Sequence, residues 1–97
     1  MNNKSDDRPM DSEEARSLVL EPYITEKTFN LIEKENKLTF IVTEKADKRQ
    51  ITEALKVLYG AEVSRVNTAR TIHGKKAFVK FIGSEGARDL ATKLGLV

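Results

Sequence analysis

Between Asp47 and Gly60 the chain has few options. Ile51, Ala54, Leu55 and Leu58 recur at i, i+3, i+4 and i+7, the spacing that lines up side chains on one face of an α-helix. Asp47 stands just ahead of them, where a short oxygen-bearing side chain can satisfy the free N–H groups of a first helical turn. Gly60 stands where a helix hands over to a left-handed residue. The pattern predicts a helix over 47–59 with an apolar face that must be covered by something else.

The flanking segments supply the cover. Lys37 to Thr43 alternates, with Leu38, Phe40 and Val42 on one side and Ile41 on the other, which predicts a strand partly buried on both faces. Segments 63–71 and 76–82 flank His73-Gly74 and predict a hairpin. Thr25 is an N-cap candidate for a helix over 25–34, with Thr28, Phe29 and Ile32 along one side and Glu35-Asn36 at its end. Leu18-Val19-Leu20, stopped near Pro22, predicts a short edge strand. Gly83 or Ser84 caps a last helix carrying Ala87, Leu90, Ala91 and Leu94 and ended by Gly95. The expected order is β-α-β-α-β-β-α, an α+β fold in which helices cover a mostly antiparallel sheet of four strands.

A chain of 97 residues holds one domain. Residues 1–17 carry Lys4, Arg8 and Arg16 against Asp6, Asp7, Asp11, Glu13 and Glu14. With almost nothing apolar to bury, this segment is expected to be a disordered acidic tail outside a domain spanning 18–97. There is no Cys, so disulfides, thiolate metal sites and a Cys nucleophile are excluded. No apolar run reaches the roughly 20 residues that span a bilayer, and the polar N-terminus does not resemble a secretory signal. A cytoplasmic protein is expected.

Catalytic chemistry finds no support. The one His, His73, sits in a polar turn beside Gly74, and neither phosphate-binding glycine loop nor calcium loop is present. No cofactor or metal is expected. What does stand out is charge placement. The formal net charge is only +2, yet residues 65–80 contain Arg65, Arg70, Lys75, Lys76 and Lys80 and no acid. Such a stretch is a footprint for a polyanion, or else a solvated hairpin that happens to be basic. Strand alternation puts Arg65, Asn67 and Ala69 on one side of 63–71, with Val66 and Thr68 on the other. Arg, Asn and Thr are the residue types that meet phosphates, sugars and base edges. Lys76, Phe78 and Lys80 share a side of the returning strand; Phe78 is read first as core and second as an RNA contact. Lys27, Lys48 and Arg49 lie in first helical turns, where free N–H groups also favour phosphate.

Ala77-Phe78-Val79-Lys80-Phe81 fits the second half of the RNP1 signature of RNA-recognition motifs, but Lys75 and Lys76 replace the Gly and the aromatic that the signature wants. The β-α-β-β-α-β order of that domain also differs from the order expected here. A free RNA-binding module of that type, or a small-ligand regulatory α/β domain, is kept as the alternative.

A wider set of residues resembles one family. Tyr23-Ile24-Thr25-Glu26-Lys27-Thr28 is similar to the P-x-x-T-E-K opening of the universal large-subunit ribosomal protein family L-twenty-three. Asn36 to Val42 resembles its N-K-x-x-F-x-V strand, Val66-Asn67-Thr68 its V-N-T strand, and Gly74 to Lys80 its G-x-x-K-x-A-x-V return. The likeness runs through about residues 19–97, and the short turn at 71–75 looks like that of archaeal members. It implies a small α/β sandwich that binds large-subunit rRNA near the polypeptide exit tunnel, among neighbouring ribosomal proteins. It also implies a docking surface for nascent-chain factors such as signal recognition particle and chaperones. By position, the RNA contacts it implies are Thr25, Lys27, Lys48, Arg49, Arg65, Asn67, Thr68, Arg70, Lys75, Lys76 and Lys80, with Asn30 and Glu33 as docking candidates.

Overall fold

The computed structural model describes residues 9–96. Eight elements follow one another: α1 (Ser12–Leu18), β1 (Val19–Pro22), α2 (Glu26–Glu35), β2 (Lys37–Val42), α3 (Lys48–Tyr59), β3 (Val63–Thr71), β4 (Gly74–Phe81) and α4 (Gly86–Lys93). From β1 onward this is the expected β-α-β-α-β-β-α order.

The helices begin and end where their chemistry directs. At α3 the Asp47 carboxylate accepts the Gln50 N–H at 2.8 Å, and the Gln50 side chain accepts the Asp47 N–H at 3.1 Å. This reciprocal cap satisfies two otherwise free donors. Gly60 then leaves the helix at φ 65°. Thr25 and Thr28 cap α2 in the same way, and Asn36 ends it at φ 57°. An amide side chain tolerates that left-handed turn better than most.

All strand pairs are antiparallel, in the order β1-β2-β4-β3. Leu38, Phe40, Val42, Val66, Ala77, Val79 and Phe81 are buried on one face. Ile51, Ala54 and Leu55 of α3 and Ala87, Leu90 and Ala91 of α4 join them in a single core. Phe40 stacks on Tyr59 of α3, with ring centroids 6.5 Å apart. The other face is only partly covered. There α2 buries Thr28 and Ile32, and Thr28 and Leu31 line a groove with Lys76 and Phe78 of β4. Thr39, which shares that face, is fully buried. Phe29, expected on the buried side of α2, is instead exposed; the apolar stripe of this helix runs through Leu31 and Ile32.

The start of α4 differs from expectation. Neither Gly83 nor Ser84 caps it; Glu85 holds the N-cap position and its side chain makes no cap bond. The cap comes from Asn36, far away in sequence. Its Oδ1 accepts the Ala87 N–H at 2.8 Å, and its Nδ2 donates to the carbonyls of Phe81 and Gly83. One residue thus ends α2 with its backbone and, with its side chain, starts α4 and ties it to the end of β4. Gly86 is required there for a steric reason, since a Cβ would lie 2.6 Å from the Phe81 Cβ.

The larger difference lies in residues 1–17. Residues 1–8 are outside the described residues. Residues 12–17, expected in a disordered tail, belong to α1. The Asp11 side chain caps this helix, accepting the Glu14 N–H at 2.8 Å, and Ala15 is fully buried. Met10 donates its N–H to the Glu53 carboxylate of α3 at 3.2 Å. Two or three small apolar contacts suffice because α3 already presents a surface to cover. Deleting residues 1–17 should therefore lower stability by about 2 kcal/mol, the scale of exposing one apolar side chain and its seat. In a domain of this size that is a fall in Tm of roughly 10 °C. An unchanged thermal midpoint would show that α1 does not hold α3.

Candidate nucleic-acid interface

Strand register brings the basic residues together. On the face away from the core, three rows cross the sheet. Lys80 pairs with Lys37 on one side and Arg65 on the other; Phe78 pairs with Thr39 and Asn67; Lys76 pairs with Ile41 and Ala69. The first row sets three cations on adjacent strands. Like charges directly opposite one another destabilise a sheet, so this row is unfavourable for folding alone. Only Lys37 has an acidic partner among the described residues, Glu35 at 3.2 Å. A polyanion over the row would reverse the sign of its contribution.

Two grooves flank these rows. On the outer side of edge strand β3, Lys48, Arg49 and Thr52 of α3 face Ser64, Arg65 and Asn67 across an open groove of about 630 Å³. Lys48 and Arg49, sixteen or more positions from Arg65 in sequence, therefore converge with it. On the other side, a groove of about 470 Å³ lies between α2 and the sheet, lined by Tyr23, Thr25, Lys27, Leu31, Lys76 and Phe78 among others. The Lys76 ammonium sits 3.9 Å from the centroid of the Tyr23 ring, a cation–π contact, and the His73 ring lies 5.8 Å from Tyr23. Phe78, read first as core, is half-buried on this outer face and lies outside the core cluster.

Several expected site residues are placed elsewhere. Thr68 pairs with Ala77 on the core side of β3, away from Asn67. Lys75 donates its ammonium to the carbonyls of Ala46 at 2.7 Å and Glu44 at 3.3 Å, so it holds the loop between β2 and α3. Arg70 pairs with Glu44 at 3.4 Å, with both side chains well exposed; such pairs contribute about 0–1 kcal/mol and yield easily to a stronger anion. Thr25 has its hydroxyl committed to the α2 cap, accepting the Thr28 N–H at 3.2 Å. Asn30 is exposed on α2, whereas Glu33 is held by the Arg88 guanidinium of α4.

Two residues escaped the sequence reading. Lys37 could have been found, because alternation in its own strand puts it on the Ile41 side. Tyr23 could not, because it lies between Pro22 and the α2 cap, where no periodicity applies. Among the described residues no cluster of three or more His, Cys, Asp or Glu could hold a metal, and no helix is long and apolar enough to cross a membrane.

The antiparallel sheet has one face packed on α3 and α4 and the other half-open and basic. Its β-α-β-α-β-β order also separates it from the RNA-recognition motif kept as the alternative. The comparisons with known proteins agree. The family model described as ribosomal protein L23 matches residues 17–93. The large ribosomal subunit protein uL23 of Methanobrevibacter smithii is 46% identical over 81 residues, covering 82% of this chain and 94% of its own. That of Methanococcus vannielii is 44% identical over 84 residues, covering 86% and 98%. That of Pyrobaculum aerophilum is 48% identical over 75 residues, covering 76% and 93%. The chain belongs to the ribosomal protein L23 family, its relatives here are archaeal, and its role is structural rather than enzymatic.

Proposed function

We propose that this protein is a component of the large ribosomal subunit that binds rRNA through the outer face of its sheet, near the polypeptide exit tunnel. The observation that carries the reading is the row Lys37–Lys80–Arg65, which costs folding energy unless an anion lies over it. Lys48 and Arg49 extend the row past β3, and Lys27 and Lys76 extend it toward α2, so a continuous backbone track can cross the sheet. Asn67, in the middle, is placed to meet sugars or base edges. Arg70 shares its row with Lys75 and Val42, on the opposite side of β3 from Asn67, and is left out of this track. Lys75 and Thr68 act indirectly, by shaping the loop and the core beneath.

Neighbouring ribosomal proteins complete the site. The exposed side of α2, with Phe29 and Asn30, is the surface offered to nascent-chain factors such as signal recognition particle and chaperones. The test is sedimentation of a lysate from cells expressing the tagged chain. Co-migration with large subunits, reversed by high salt, supports the reading. A chain that stays at the top of the gradient in low salt defeats it.

A further inference from the structure

The groove between α2 and the sheet differs from the rest of the basic face. Its walls are apolar, formed by Leu31, Phe78 and the Tyr23 ring, while its rim carries Lys27 and Lys76. A phosphate track needs no such walls, and duplex RNA cannot fill them, because its bases are stacked inside the helix. An apolar side chain from a protein would fill the walls but leave two rim ammonium groups without an anion. An unstacked nucleotide satisfies both parts, with a flat apolar base and a charged phosphate. The groove volume of about 470 Å³ falls within the range of small-ligand sites, roughly 300–1,000 Å³.

Resting on the RNA-binding reading above, we propose that this groove receives a single unpaired nucleotide of the bound RNA, its base against Phe78 and its phosphate between Lys27 and Lys76. Phe78 rather than Tyr23 is the platform, because the Tyr23 ring is already engaged by the Lys76 ammonium at 3.9 Å and by His73. The contact with Tyr23 holds Lys76 at the rim. Asn67 is the cross-strand partner of Phe78, and its amide offers both a donor and an acceptor to the edge of a base stacked there. The site thus combines a stacking surface, a base-edge reader and a phosphate clamp. The row at Lys37, Lys80 and Arg65 supplies charge alone.

The test compares a short single-stranded RNA with a duplex of equal length. The single strand carries 2-aminopurine, whose fluorescence reports stacking; the protein has no Trp to interfere. Phe78→Leu keeps the groove apolar and removes the ring. It should weaken single-strand binding by roughly 5- to 150-fold, the equivalent of one base–aromatic stack, abolish the 2-aminopurine quenching, and leave duplex binding unchanged. Photocrosslinking of 4-thiouridine RNA to the unaltered protein keeps the idea testable should that variant misfold, and the adduct should map to the peptide containing Phe78. Equal loss on single strand and duplex, or adducts only along β3, would overturn the nucleotide groove while leaving the basic face as an RNA site. Failure of both RNAs to bind would remove the RNA-binding reading, and the groove with it.

Discussion

Leu55→Ala should lower the unfolding free energy by about 2–5 kcal/mol. Leu55 is fully buried on the face of α3 that also carries Ile51 and Ala54, so truncation leaves a cavity among side chains that are themselves buried. The loss combines the transfer free energy of the deleted groups with the unfilled space, and a fully enclosed site can relax little. A domain of this size holds only about 5–15 kcal/mol in total, so the loss is a large fraction of its stability. Denaturant unfolding with an unchanged slope is the measurement. Val57→Ala, on the half-open side of the same helix, is the control and should cost less than about 1 kcal/mol. If the two variants lose equally, α3 does not face the sheet through Leu55.

Replacing Lys37, Lys80 and Arg65 together with Ala should cut the magnitude of the log–log salt slope for rRNA binding by roughly 2–3 units. Each phosphate contact contributes about 0.7 on single strands and about 0.9 on duplex DNA through counterion release. The same variant should fold at least as well as the parent, because removing three like charges from one row relieves repulsion. Lower affinity with undiminished stability is a combination that a merely structural role for the row would not produce. Asn67→Ala should reduce affinity and leave the slope nearly unchanged, since it removes hydrogen bonds without charge. Lys93→Ala, on α4 at the core side of the sheet, should do neither. Should Lys93→Ala alter the slope while the triple variant binds like the parent, RNA lies on the other face.

The difference between legible and illegible features follows from range. Caps and periods are local, so the helix from Asp47 to Gly60, the hairpin about His73 and the alternation of β2 could be read directly. The start of α4 could not, because its cap is supplied by Asn36 from across the fold. The order of α1 was missed for a related reason. Ala15 and Leu18 bury too little to announce a helix, and they become significant only because α3 presents a seat for them.

The same distinction applies to the candidate interface. The sequence alone settles which residues carry charge on each strand and which side of that strand they occupy, because side-chain alternation is a property of the single strand. It also determined that Arg65 and Asn67 point together and that Val66 and Thr68 point away from them. Long-range packing, by contrast, sets β2 beside β4, so that Lys37 completes a row with Lys80 and Arg65. It alone turned Lys75 into a loop anchor and Phe78 outward beneath α2. Those outcomes depend on strand order and register, which are set by how the apolar faces of separate segments fit one another and leave no local mark on the residues concerned.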